Sequence, residues 1–279
     1  MSLKTADFIR AKRRGKRWAM LTAYDCPTAE VVDAAGADFV LVGDSLGMVL
    51  LGYASTAQVT MDEMLHHAKA VRRGTRRAVL IGDLPLKGIS KGPRQALASA
   101  RRFMREAGCD AVKVEWGERA GDITRLLVKS GIPVMGHVGL TPQTSKGFKV
   151  HGATAANAAG VLAAARTFES LGAFAVLLEC VPESVGSVVT SALRVPTIGI
   201  GAGRFTNGQV LVFHDITGLF TKFKPRFVRR YAELEPTMRK AAAAFVSDVS
   251  RGRFPSRENS FQMKPEEAVK FRRFLTRKG

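Results

Sequence analysis

The chain has 279 residues, 46% of them hydrophobic, with a formal net charge of +19 at pH 7. That length suffices for one large α/β domain with a full core, since barrels of about 250 residues are routine. Three cysteines without metal-ligand spacing, Cys26, Cys109 and Cys180, argue against a disulfide framework or zinc site, and no apolar run approaches the ~18 residues of a membrane span.

In chain order, residues 18–25 read as a first strand, and Pro27 opens a helix that Gly36 stops. The unbroken apolar run Phe39-Val40-Leu41-Val42, closing on Asp44, is the pattern of a strand covered on both faces in a parallel sheet. Residues 47–60 form a glycine-rich loop, long enough to be a functional cover. A helix over 61–73 follows, with Thr60 and Glu63 as a capping box. Strand three ends at Asp83, strand four carries Lys113 and Glu115, strand five runs into His137 and strand six ends at Glu179. Helices over 93–107, 120–130 and 153–171 separate them, and a short one ends near 192. Residues 196–200 and 210–213 complete eight strands. The junctions Ala35-Gly36-Ala37-Asp38, Ala107-Gly108-Cys109-Asp110 and Leu171-Gly172-Ala173-Phe174 look like one βα unit reused within a domain. The expectation is a (β/α)8 TIM barrel over residues 1–255, with a helix over 231–249 and a charged tail, 256–279, as a C-terminal extension.

The thiols are expected to be reduced and buried, and the protein cytoplasmic, because the N-terminus lacks the apolar core of a signal peptide. The basic clusters Lys12-Arg13-Arg14-Gly15-Lys16-Arg17, Arg72-Arg73-Gly74-Thr75-Arg76-Arg77 and Arg226 with Arg229-Arg230 lack the interleaved aromatics of a nucleic-acid platform. A solvated basic surface that attracts anionic substrates is the expectation.

The chemistry gathers at the strands' C-terminal ends, where barrels build their sites. Asp44, Asp83 and Glu115 are hard oxygen donors suited to Mg²⁺. Lys113 lies two residues before Glu115, so both side chains share one face, and a buried lysine there is costly unless it meets an anion. His137 is a candidate donor to a substrate oxygen, and Glu179 the candidate general base. Gly199-Ile200-Gly201-Ala202-Gly203 lacks the following helix and acidic partner of a dinucleotide loop, so close backbone approach to a ligand is the preferred reading.

These residues sit in motifs that together resemble the ketopantoate hydroxymethyltransferase family: Leu21-Thr22-Ala23-Tyr24-Asp25, Val42-Gly43-Asp44-Ser45-Leu46-Gly47-Met48, Asp83-Leu84-Pro85, Lys113-Val114-Glu115, Gly136-His137-Val138-Gly139-Leu140-Thr141-Pro142-Gln143 and Leu178-Glu179-Cys180-Val181-Pro182. The resemblance implies one-carbon transfer from 5,10-methylenetetrahydrofolate to 3-methyl-2-oxobutanoate on a homodecamer. It further implies Mg²⁺ on Asp44 and Asp83, with Glu115 reached through water. Ser45, Lys113 and His137 would hold the keto acid alongside the metal-binding aspartates, and Glu179 would remove its C3 proton. The core site is intact, but its periphery departs from the family pattern: at His151-Gly152-Ala153, where Gln-Gly-Arg is usual, at Trp116 for a glycine, at Asn207 for an aspartate, and in a shorter loop after Gln143. A Mg²⁺-dependent lyase or aldolase acting on another 2-oxo acid, as in the phosphoenolpyruvate mutase and isocitrate lyase superfamily, is the alternative, and a basic nucleic-acid-binding protein a distant third.

Overall fold

The computed structural model describes residues 4–145, 147 and 149–276, and in it eight parallel strands close a barrel in sequence order. They are β1 Trp18–Thr22, β2 Phe39–Val42, β3 Val79–Asp83, β4 Ala111–Glu115, β5 Val134–Gly139, β6 Ala175–Glu179, β7 Thr197–Ile200 and β8 Gly208–Leu211. Helices Cys26–Ala34, Met61–Gly74, Pro93–Glu106, Ala120–Lys129, Ala155–Ser170 and Glu183–Ala192 follow β1 to β6 in turn, while β7 passes to β8 through a loop. This is the (β/α)8 barrel that the apolar runs predict. The chain divides into two compact units, Met1–Tyr231 and Ala232–Gly279.

Side-chain parity along each strand decides what faces the barrel axis. Phe39 and Leu41 of β2 join Ile81, Ala111, Met135, Ala175 and Leu177 in the cluster inside the ring. Val40 and Val42 instead join the larger layer beneath the helices. Counting on in twos from the interior residues reaches Asp83 on β3, Lys113 and Glu115 on β4, His137 on β5 and Glu179 on β6. All five are thereby carried inward at the C-terminal ends.

Two of the three repeated junctions do one job. Gly36 and Gly108 adopt φ of 93° and 66°, the left-handed conformation that ends a helix without a Cβ clash. The aspartate two residues on then ties the new strand to the one before it: Ala19 N donates to Asp38 at 2.9 Å and Leu80 N to Asp110 at 2.8 Å. Thr60 and Glu63 form the expected capping box, and the thiols are free, with Cys109 and Cys180 buried and Cys26 half-buried.

Four features differ from the sequence reading. Strand β8 lies two residues earlier than 210–213, because Phe213 N donates to Thr22 Oγ1 at 3.0 Å and the chain turns into the short helix Phe213–Ile216. An unforeseen helix, Thr5–Arg13, brings Phe8 against Phe39 and Phe174 of the interior cluster, with ring centroids 5.9 and 4.9 Å apart. Its Lys12 is not part of a solvated patch: Nζ donates to Thr190 O, Leu193 O and Val195 O at 2.7, 2.8 and 3.0 Å, satisfying carbonyls at the end of helix Glu183–Ala192. In the second unit, helix Leu234–Ser250 starts after the predicted residue 231, because Tyr231 N is taken by Ile216 O at 2.7 Å, and part of the charged tail forms a helix, Pro265–Thr276. Among the described residues no helix is long and apolar enough to cross a membrane.

Candidate active site

At the C-terminal mouth of the barrel a cavity of about 120 Å³ is lined by Asp44, Ser45, Asp83, Lys113, Glu115, His137 and Glu179, together with apolar side chains. Met48, Val49 and Thr56 of the long loop after β2 line it as well, and so do Phe223, Pro225 and Phe227 of the segment after β8. The loop 47–60 does therefore border the site. It holds a helical turn, Leu46–Val49, and a 3-10 turn, Thr56–Gln58, that the sequence reading left as coil.

The three metal-candidate carboxylates share a pattern. Each has one oxygen anchored by an N–H: Asp44 Oδ2 by Gln143 Nε2 at 2.9 Å, Asp83 Oδ2 by Asp44 N at 3.1 Å, and Glu115 Oε1 by Gln143 N at 3.2 Å. The second oxygens of Asp83 and Glu115 are buried without an aligned hydrogen bond. Asp83 Oδ1 instead makes an ion pair with Lys113 Nζ at 2.9 Å, and Glu115 Oε2 stands 3.5 Å from His137 Nδ1. Burial is costly for such anions, and its effect is visible in their proton affinity. Burial, with Asp44 nearby and against the pull of Lys113, raises the Asp83 carboxyl to about 7. Burial likewise raises Glu115 to about 9, with Asp44, Asp83 and Glu179 adding repulsion. A divalent cation would relieve both. Among the described residues no three acidic, histidine or cysteine side chains close into a metal cage. As hard oxygen donors the carboxylates would suit a cation that takes few protein oxygens and keeps water or substrate, as Mg²⁺ does.

Lys113 and His137 sit behind them. Burial would lower the Lys113 ammonium, but Asp83, Asp44 and Glu115 more than offset it and hold the group above its ordinary value. Lys113 Nζ also lies 3.2 Å from His137 Nδ1. Burial and the neighbouring ammonium lower the imidazole, so the ring is neutral. An ammonium has no lone pair to offer, so Nδ1 accepts from it and Nε2 carries the ring proton toward Glu179 Oε2, 3.1 Å away. The contact is a close approach without an aligned hydrogen bond, and the Glu179 side chain is 15% exposed at the cavity. The next residue, Cys180, has φ of 49°, unusual outside glycine. Burial and the adjacent Glu179 push its thiol up to about 12, which denies it thiolate chemistry at neutral pH.

Two residues of this arrangement were missed in the sequence. Gln143 is one. Tyr24 is the other, fully buried, with its hydroxyl 2.8 Å from Ser45 Oγ. In the glycine loop after β7 a Cβ on Gly201 would meet Phe227 at 2.7 Å and one on Gly203 would meet Glu183 at 2.5 Å, so both glycines permit close packing within the protein. Asn207 is also not at the site's periphery. Its Oδ1 accepts from Thr197 N at 3.1 Å, at the N-terminal start of β7 and the opposite end of the barrel. Trp116 turns outward to pack edge-on against Phe168, centroids 5.4 Å apart. Lys146 and Phe148, in the shortened loop, lie outside the described residues.

Fold and site together define a (β/α)8-barrel enzyme with an acidic, lysine-compensated pocket at the C-terminal mouth. Comparison with solved structures agrees on the fold. A 2,3-dimethylmalate lyase of the PEP mutase/isocitrate lyase superfamily superposes with a TM-score of 0.60 at 16% identity, covering 98% of this chain and 100% of that one. Phosphoenolpyruvate phosphomutase from Streptomyces platensis gives a TM-score of 0.59 at 14% identity, covering 99% and 96%. Sequence relatives are nearer. The 3-methyl-2-oxobutanoate hydroxymethyltransferase of Oleidesulfovibrio alaskensis is 50% identical over 266 residues, 94% of this chain and 92% of that protein. The Thermus thermophilus protein of the same name is 50% identical over 258 residues, covering 91% and 98%. The family model for ketopantoate hydroxymethyltransferase matches residues 2–257. The chain belongs to the ketopantoate hydroxymethyltransferase family.

Proposed function

We propose that the chain transfers a one-carbon unit from 5,10-methylenetetrahydrofolate to 3-methyl-2-oxobutanoate, giving 2-dehydropantoate on the route to pantothenate, as a cytoplasmic homodecamer. In this reading Asp44 and Asp83 hold Mg²⁺ directly and Glu115 acts through water. When bound, Mg²⁺ supplies positive charge against the negative charge that develops on the keto acid's oxygens.

The chain's own residues do the rest. Ser45, Lys113 and His137 hold the keto acid, and the Lys113 ammonium, kept charged by its carboxylate neighbours, faces the substrate's carboxylate. Glu179 takes the C3 proton, with His137 Nε2 close by at 3.1 Å from its Oε2. The resulting C3 carbanion forms a carbon–carbon bond to the donor's methylene carbon as that carbon leaves the folate nitrogens. Water supplies the hydroxyl of the product, its remaining proton and the proton taken by Glu179 go to the two folate nitrogens that lose the carbon, and no covalent bond to the protein is needed.

The observation that carries this reading is that Asp83, Lys113 and Glu179, from three different strands, and Asp44, just beyond a fourth, line one cavity in a chain half identical to relatives named for this reaction. It is tested by exchange of the C3 proton of several 2-oxo acids in heavy water with Mg²⁺, with and without the folate donor. Fast exchange of 3-methyl-2-oxobutanoate, with product formed only when the donor is present, is the expected result. Cleavage of a 2-oxo acid without folate would favour a lyase instead. Light scattering of the purified protein checks the decamer.

A further inference from the structure

Gln143 sits in the hydrogen-bonded turn that follows β5, where Thr144 N and Ser145 N both return to Thr141 O, at 3.1 and 2.9 Å. It is 4% exposed and stands behind the carboxylates, outside the lining of the cavity. Its amide Nε2 donates to Asp44 Oδ2 at 2.9 Å and to Leu84 O at 3.0 Å, and its main-chain N donates to Glu115 Oε1 at 3.2 Å. Both side-chain partners are acceptors only, so the amide's orientation is fixed and its two protons are committed. One residue therefore pins a carboxylate beyond β2, a carboxylate on β4 and the backbone beyond β3. Those strand ends are neighbours in the barrel, with no covalent link nearer than a helix and two loops.

We propose that Gln143 is a positioning residue for the divalent cation: it fixes Asp44 and Glu115 at the spacing the ion requires and ties the loop after β5 to that spacing. The inference rests on the Mg²⁺ assignment above. Free carboxylates on three strand tips would repel one another and drift apart without a donor placed between them. An N–H donor to one oxygen of Asp44 and of Glu115 fixes where that oxygen lies and leaves the other oxygen of each uncommitted to Gln143. Partners of this kind, one shell away from a metal, typically set metal affinity by about 10- to 100-fold. No charge is added, so the net charge of the site stays with the ligands.

The test is calorimetric titration of Mg²⁺ into the metal-free protein and into Gln143→Met, whose side chain keeps the length but donates nothing, so that Asp44 and Leu84 lose their donor while the main-chain N–H to Glu115 stays. A second variant, Gln143→Asn, keeps the amide but is too short to reach both Asp44 and Leu84. The expected result is a Mg²⁺ dissociation constant raised about 10- to 100-fold in Gln143→Met, and by a smaller factor in Gln143→Asn. The thermal midpoint in EDTA should shift by only a few degrees, because a residue needed merely for packing would move the midpoint and leave the affinity of the folded fraction alone. Unchanged affinity in whichever variants fold, beside a parent that binds Mg²⁺, overturns the role of Gln143 and leaves the metal assignment standing. A parent that binds no Mg²⁺ overturns both.

Discussion

Lys113 is the buried cation that the site's carboxylates face, and Lys113→Met removes its charge while keeping most of its length. With Nζ 2.9 Å from Asp83 Oδ1, Coulomb attraction at an effective dielectric of ~20 is about 6 kcal/mol before desolvation. Breaking a buried pair by deleting one partner costs about 3–5 kcal/mol, since the survivor is left uncompensated. Here the survivor has an escape. Asp83 already titrates at about 7 in the folded protein against 3.8 ordinarily, and it can take up a proton once the ammonium is gone. A raised carboxyl means that the folded state binds a proton the unfolded state has lost, so the penalty of the charged pair's absence grows with pH and vanishes as pH falls through about 7. At pH 8.5 Asp83 is ionised, and Lys113→Met should lose about 3 kcal/mol. At pH 5.5 Asp83 is protonated in the parent, whose ammonium then lacks its nearest anion. The loss should fall below about 1 kcal/mol or change sign. Urea unfolding of both metal-free proteins at the two pH values reads this difference directly. A loss at pH 5.5 equal to or larger than that at pH 8.5 would refute the pairing argument.

Other outcomes follow from the same geometry. Glu179→Gln should still bind 3-methyl-2-oxobutanoate with Mg²⁺ by calorimetry, yet exchange its C3 proton in heavy water at least ~100-fold more slowly; exchange at the parent rate would assign the base elsewhere. Mg²⁺ affinity should rise with pH, approaching tenfold per unit below about 7 as Asp83 gives up its proton; affinity that ignores pH between 5.5 and 7 would remove Asp83 from the ligand set. Lys12→Met should cost about 2 kcal/mol of stability in urea, because three carbonyls lose a charged donor, without slowing C3 exchange. DNA retention should be weak and fall steeply with salt, since the basic surface offers charge without stacking platforms; a sequence-selective complex at physiological salt would contradict that.

The barrel was legible because its grammar is local. A run such as Phe39-Val40-Leu41-Val42 can only be satisfied between two apolar layers, and the polar residue that ends each run marks the strand's C-terminal tip. The spacing of two between Lys113 and Glu115 places both inside once Ala111 is inside, and the structure has Ala111 in the interior cluster. What stayed hidden depends on partners far away along the chain. Helix Thr5–Arg13 buries no residue fully, so its pattern is faint; its anchor is a lysine reaching carbonyls some 180 residues later. Gln143 looks like any glutamine in a turn until the fold brings Asp44, 99 positions earlier, within 2.9 Å. Distance also reverses a judgement about the departures from the family pattern. Trp116 and Asn207 read as changes near the site, yet one packs outward on Phe168 and the other accepts from Thr197 at the far end of the barrel. The change at His151 is different, since its N–H donates to Cys180 O at 2.8 Å, one residue beyond Glu179.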